Sequence, residues 1–254
     1  MSRPRGPAPD LDPDLLLRAY SVGVFPMADD RDAPSVYWVE PKTRAVLPLD
    51  GFHLSKSLRK TLLSGRYETT ANRDFAGVVK LCAEAADNRP DTWINAQIEA
   101  AVQVLHVHGH AHSIETWEDG QLVGGLYGIS LGAAFFGESM FSRATDASKV
   151  ALAHLVARLR VGAFTLLDCQ FMTDHLASLG AVEVSRAAYI ASLDAAVSMA
   201  GAGSASSPPP DFGAFDRLPD DASPDAVPAA SPVNVTVSGP KSAWRIVQSL
   251  AQTS

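Results

Sequence analysis

Residues 113–141 read SIETWEDGQLVGGLYGISLGAAFFGESMF. Apolar positions alternate with small or polar ones, and turn signals stand at Asp119-Gly120 and near Leu131-Gly132. That is a strand meander. Its last strand, within Ala134 to Arg143 (AFFGESMFSR), sets Glu138 among Phe, Gly and Met. A carboxylate among apolar neighbours costs free energy unless it is paired, hydrogen-bonded or used. Glu138 therefore marks either a strand edge at solvent or the wall of a pocket.

Working outward, Thr145 to Ser148 offers caps for a helix from about Lys149 to Arg160, with Leu152, Leu155, Val156 and Leu159 inward and Gly162 at its end. AFTLLDCQF (163–171) is a strand, TDHLASLG (173–180) a short helix, AVEVS (181–185) a last strand and RAAYIASLDAAVSMA (186–200) a last helix. Before the meander, Ile98, Ala101, Val102 and Leu105 form the stripe of an amphipathic helix ending by Gly109. Residues 35–49 read as short strands broken by Pro41 and Pro48. Asp12, Pro13 and Gly23 bracket a helix whose face holds Leu15, Leu16, Ala19 and Tyr20. The class is α+β: a flexible start (1–10), a small N-terminal α/β domain (11–90), and a mixed sheet with helices (91–200). A low-complexity Ala/Ser/Pro/Asp tail (201–254) is expected to be mostly disordered, with SAWRIVQSL (242–250) able to dock as a helical turn or two. The order meander, helix, strand, helix, strand is similar to the acetyltransferase (GNAT-type) fold. The loop FSRATDAS (141–148) lacks the glycines that would cradle a pyrophosphate, which argues against coenzyme A.

A composition of 46% hydrophobic and 19% charged residues fits one large or two small globular domains. No run approaches a membrane span, and MSRPRGPAPD has no apolar core of a secretory signal. Two cysteines are too few for a disulfide framework or a cysteine-based zinc site, so a cytoplasmic protein is expected. The histidines at 106, 108, 110 and 112 are spaced by two and interrupted by Gly109, which matches no metal motif; no metal is expected. A net charge of −7 excludes nucleic-acid binding by bulk charge. Locally the balance reverses: Lys56, Arg59, Lys60, Arg66, Arg73 and Lys80 face only Glu68 and Asp74. That run is either a solvated face or a place for phosphates.

Three chemistries compete. Asp168 and Gln170 end a buried strand, and alternation puts them on one face with Cys169 on the other. An acid beside an amide can hold and polarise an amine or hydroxyl without a covalent intermediate; the plainer reading is a strand-end Asp that caps the next helix. A Cys169 nucleophile with His175 or a histidine of the 106–112 group as base is disfavoured by acidic flanks and by alternation, which points Cys169 away from its polar neighbours. Phosphate or coenzyme A binding lacks its loop.

The chain resembles the bacterial leucyl/phenylalanyl-tRNA–protein transferases. The matching pieces, in order, are LLLRAYSVGVFP, YWVEP with RAVLPL, HLSKSLRK, TWI, GHAHSIETWEDGQLVGGLYGISLG, FFGESMFSR with DASKVAL, LLDCQ and DHLASLGA. They span most of residues 12–195. The resemblance implies transfer of leucine or phenylalanine, and sometimes methionine, from aminoacyl-tRNA to the α-amino group of proteins beginning with Arg or Lys. It implies no cofactor and an N-terminal domain joined to an acetyltransferase-like one. It also implies Asp168 and Gln170 as the acid and amide at the attacking amine, supported by Glu138, and Trp38 and Trp93 as walls around the terminal adenosine. Met140 and Phe141 would border the aminoacyl side chain. Lys56, Arg59, Lys60 and Arg66 would touch the tRNA backbone. Nothing in the sequence calls for more than a monomer.

Overall fold

The computed structural model describes residues 10–84, 92–198, 209–218 and 242–251. The start of the chain and most of the low-complexity tail lie outside the described residues. Helix α1 (Pro13–Ser21) begins as expected: Asp12 accepts from the Asp14 amide at 2.9 Å, and Pro13 takes the first helical position. Strands β1 (Phe25–Met27) and β2 (Tyr37–Val39) form a small antiparallel ribbon. The chain continues through β3 (Thr43–Val46), α2 (Lys56–Leu63), β4 (Glu68–Ala71), α3 (Phe75–Ala83) and α4 (Ala96–Val107). The meander is β5 (Ala111–Glu118), β6 (Gln121–Leu131) and β7 (Ala134–Ser142). Then come α5 (Ala147–Val161), β8 (Leu166–Gln170), α6 (Asp174–Ser178), β9 (Val182–Ser185), α7 (Arg186–Ser198) and, in the tail, α8 (Ala243–Ala251).

Seven strands make one mixed sheet in the order β4-β5-β6-β7-β8-β3-β9. Each described pair is antiparallel except β7 with β8, which α5 connects as a crossover. Helices cover both faces. Leu58 and Leu62 of α2, nearly all of α5, and Ile246, Val247 and Leu250 of α8 fill one side. Leu16 and Tyr20 of α1, α3, α4, and Tyr189 and Leu193 of α7 fill the other.

The mixed α+β architecture matches the expectation, with two differences. Strands β3 and β4 lie within residues 11–90, yet they hydrogen-bond into the same sheet as the strands after residue 91. The sheet therefore crosses the boundary expected near residue 90. A piece of the tail expected to be disordered is folded onto the body: Phe212 and Phe215, around a 3-10 turn at Ala214–Arg217, are buried against α5, and the SAWRIVQSL segment docks there too, as the helix α8. Their apolar residues are few but spaced to land on one covered face.

One irregularity decides which way the residues of β7 face. Gly128 of β6 pairs with Gly137, while its neighbour Tyr127 pairs with Ser139, so Glu138 is the extra residue of a bulge in β7. Strand alternation changes phase there. Phe136 and Phe141 both join the α1/α4/α7 side, and Met140 the α5 side, although 136 and 140 have the same parity. The bulge depends on the bare backbone of Gly128: a Cβ at that position would lie 2.3 Å from the Phe136 carbonyl oxygen and 2.4 Å from the Phe135 ring. Gly128→Ala is expected to destabilise the protein by about 1–3 kcal/mol, read from urea unfolding. An unchanged midpoint would mean that the strands part there without cost.

Candidate active site

Arg44 sits in β3 between small and apolar neighbours, 2% exposed. A guanidinium so buried needs partners for every donor it can supply. Its Nε donates to both oxygens of Asp168 at 3.0 Å, and Nη2 donates to Oδ2 at 2.7 Å. Nη1 donates to the Gly23 carbonyl at 3.0 Å, at the end of α1. The rings of Phe25 and Tyr189 lie on the cation, 4.7 and 4.5 Å from their centroids. Asp168, at the end of β8, is fully buried. Besides Arg44 it accepts from the Tyr189 hydroxyl at 2.8 Å and from the Gln170 backbone N–H at 2.8 Å.

That last bond holds a strained residue. Gln170 has φ +62°, a left-handed conformation uncommon for a side chain of its size. Its Nε2 donates to Glu138 Oε1 at 2.9 Å, and Tyr20 of α1 also hydrogen-bonds the Glu138 carboxylate. Glu138 and Gln170 therefore meet across β7 and β8, with Asp168 behind them fixing the backbone.

In front of them opens a cavity of about 300 Å³. Its interior is apolar, with Leu126, Met140, Leu152, Leu155, Leu167 and Leu176. Trp93 and Phe171 are the aromatic residues of its wall besides Tyr127, and Glu138, Gln170, Thr173 and His175 supply polar groups. Burial, and next the charge of Asp168, push the Glu138 carboxyl up to about 7, against the pull of its hydrogen bonds and of Arg44. The Cys169 thiol, also in the wall, is pushed up to about 12 by burial and by Asp168. It is no nucleophile at neutral pH. Burial, followed by Lys149, lowers the His175 pKa.

Of the residues singled out from sequence, Glu138, Gln170, Trp93 and Met140 meet at this cavity. Asp168 does not open onto it, and the face shared by Asp168 and Gln170 is lost: the left-handed turn at 170 breaks the strand alternation on which that expectation rested. Phe141 is packed on the opposite side of the sheet from Met140, as neighbouring strand residues must be. Trp38, across from Pro26 in the ribbon, is 41% exposed and lies outside the cavity. Lys56, Arg59 and Lys60 are exposed on α2, whereas Arg66 is paired with Glu118 at 2.6 Å. Arg44, Tyr20 and Tyr189 were not anticipated. An arginine inside the apolar run RAVL was the available signal for a buried carboxylate partner.

A second cavity, of about 360 Å³, is bordered by Asn72, His110, His112, Ser130 and Phe212. His112 there is already engaged, with Asn72 and the Ser130 hydroxyl both at 3.2 Å, and burial lowers its pKa to about 3. His106 stacks on Phe75 at 4.1 Å, so the histidine run is dispersed into packing. Among the described residues no group of three His, Cys, Asp or Glu is placed to hold a metal.

The family model described as leucyl/phenylalanyl-tRNA protein transferase matches residues 46–194, and that of its N-terminal domain matches residues 9–42. The chain belongs to the leucyl/phenylalanyl-tRNA protein transferase family. Similar proteins carrying that name include one from Rhizorhabdus wittichii, 60% identical over 96% of this chain and 99% of its own length. Another, from Zymomonas mobilis, is 62% identical over 74% of this chain and 70% of its own. A solved structure of L-PGS from Bacillus licheniformis overlaps 66% of this chain and 56% of that one at a TM-score of 0.34 and 12% identity. The stretch between the two family models falls in β3, which carries Arg44 into the seven-stranded sheet.

The buried ion pair gives a direct test. Arg44→Met leaves Asp168 charged, buried and short of its principal donor, with an expected loss of about 3–5 kcal/mol in urea unfolding. Adding Asp168→Leu to that variant is expected to recover a large part of the loss. Failure to recover would mean that Asp168 is held mainly by Tyr189 and the backbone.

Proposed function

We propose that the protein, an aminoacyltransferase by family, moves leucine or phenylalanine from the 3′ end of its tRNA onto the α-amino group of proteins beginning with Arg or Lys. The product would bear an N-terminus that marks it for proteolysis, and the setting would be the cytoplasm, where aminoacyl-tRNA is made. The observation that carries this reading is the apolar cavity with Glu138 hydrogen-bonded to Gln170 at its polar side and the Cys169 thiol in its wall kept protonated by burial. Such a site suits an acyl group that arrives already activated.

An aminoacyl ester needs a neutral amine held at its carbonyl and a place for the amine's proton. In this reading the leucyl or phenylalanyl side chain fills the space among Leu126, Met140, Leu152 and Leu155. The adenosine stacks on Trp93 or Phe171. Gln170 donates through Nε2 to Glu138, which leaves its Oε1 free to accept from the attacking amine. The C–N bond forms as the ester C–O bond breaks; Glu138 takes the amine proton and passes it to the departing ribose oxygen. Asp168, with its charge engaged by Arg44, positions Gln170 and does not touch the substrate. Glu138 is then also the carboxylate nearest a cationic acceptor. Lys56, Arg59 and Lys60 contact phosphates without reading bases, which makes tRNA binding by this acidic chain weak and strongly salt-dependent. The antiparallel run β4 to β7 followed by parallel β8 is compatible with the acetyltransferase-type sheet, and a monomer suffices for these contacts.

The test offers labelled Leu-tRNA or Phe-tRNA together with a peptide starting in Arg. Transfer is expected from wild type, with kcat lowered by about 10²–10⁴ in Glu138→Gln. tRNA binding without transfer would instead identify a binding protein. The pH profile tests the proton acceptor. Below about 7 Glu138 is protonated and cannot accept, and below about 8 the acceptor amine is protonated as well. The slope of log kcat/KM against pH should therefore approach two on the acid side in wild type and one in Glu138→Gln. Equal slopes in both would remove Glu138 as the base.

A further inference from the structure

Helix α2 is only eight residues long, and an isolated helix shorter than about 12–15 residues is marginal in water. Its outer face carries Lys56, Arg59 and Lys60, and its inner face Leu58 and Leu62, both buried. The elements it packs on are chiefly α5 and α8. Helix α8 thus forms part of the floor beneath the cations, with Ile246, Val247 and Leu250 in the same apolar cluster as Leu58 and Leu62.

The C-terminal segments are fastened to α5 in two places. Arg160 of α5 donates to the Leu250 carbonyl at 2.9 Å, near the end of α8. Arg158, one face over and fully buried, grips Asp216 through two bonds of 2.6 and 2.7 Å and donates to the Phe212 carbonyl at 2.8 Å. Phe215 is fully buried, its ring centroid 5.3 Å from that of His154. Neither segment borders the Glu138–Gln170 cavity. Helix α8, held to α5 by Arg160, away from the chemistry and packed on the inner side of the cationic helix, has a job at that helix.

We propose that α8, docked on the α5 helix that residues 209–218 also grip, acts as a clamp that holds α2 in register, so that Lys56, Arg59 and Lys60 present a fixed spacing to phosphates of the tRNA. The proposal rests on the reading of α2 as a phosphate contact. The clamp acts on donor binding and not on bond formation: Val247, Leu250 and Arg160 are positioning residues. Its ligand chemistry is a polyanionic backbone, and no base recognition is involved.

The experiment uses the full chain and two donors. One is intact Phe-tRNA; the other is 3′-O-phenylalanyl-adenosine, which carries the acyl group and terminal nucleoside but none of the stem phosphates. In Val247→Asp, KM for Phe-tRNA is expected to rise roughly tenfold and its salt dependence to flatten, while kcat/KM for the small ester stays within about twofold. Amide hydrogen exchange over residues 58–62 should accelerate in the same variant. Should Val247→Asp not accumulate as folded protein, Val247→Ala repeats the comparison at a smaller amplitude of about two- to threefold in the tRNA KM. Equal losses with both donors, or no loss with either, overturn the clamp. A variant with Lys56→Glu, Arg59→Glu and Lys60→Glu separates the two ways of failing. If it leaves the tRNA KM unchanged, the phosphate role of α2 is wrong; if it raises that KM while the α8 variants behave as wild type, α2 stands and the clamp falls.

Discussion

The Arg44–Asp168 pair is the constraint on which the site depends. Arg44 comes from the strand that joins the N-terminal elements to the sheet, and Asp168 from the strand beside it. One side of the guanidinium ties down the end of α1 at Gly23; the other saturates the carboxylate. Burying two charges is costly, and an apolar pair of the same volume would often be at least as stable. What an apolar pair could not do is present an acceptor to the Gln170 amide. Asp168 Oδ1 does so at 2.8 Å, and the left-handed backbone at 170 is held by that bond. The pair thus converts tertiary assembly of α1, β3, β8 and α7 into the orientation of one amide side chain.

A second local irregularity brings Glu138 to meet it. The bulge in β7 inserts one residue opposite Gly128, and that residue is Glu138. In a regular ladder Phe136, Glu138 and Met140 would all face one way. With the bulge, Met140 turns to the α5 side and lines the apolar interior, while Glu138 stays within reach of Tyr20 and Gln170. Acid and apolar pocket therefore come from adjacent stretches of a single strand.

These two irregularities mark the limit of what was legible in the chain. The meander, the crossover helix, the strand ending at Asp168 and the short helix after it follow from periodicity, Gly turns and caps, which are local and additive. Glu138 stood out because a carboxylate in an apolar run needs a reason. The face of Gln170 and the side of the sheet that Met140 lines were misread or left open for one reason. Each depends on where alternation breaks, and a bulge or a left-handed residue is fixed by partners far away in sequence. Arg44 lies 124 residues from Asp168, so neither end announces the other. The ordered piece of the tail around Phe212 and Phe215 was obscured differently: composition averages over a long Ala/Ser/Pro stretch, whereas burial needs only a few well-placed apolar residues.

The two carboxylates then divide the work by environment. They are near enough for the charge of Asp168 to raise the pKa of Glu138. Asp168 has a dedicated cation at 2.7 Å and no opening to the cavity, which makes it a fixed negative charge and a hydrogen-bond acceptor. Among the described residues Glu138's hydrogen-bond donors, Gln170 and Tyr20, are neutral, and burial outweighs them, so its pKa rises to about 7. Tyr20, its own pKa raised well above the ordinary value by burial and by Glu138, remains a donor throughout. Under the proposed mechanism Glu138 accepts a proton from an amine and releases it to a ribose oxygen, which works best when neither transfer is steeply uphill. Had Arg44 been directed at Glu138, the carboxylate would have been held ionised and would be a poorer base. The cation is on the other acid, and that placement leaves Glu138 able to exchange a proton at the pH where aminoacyl esters and free N-termini coexist.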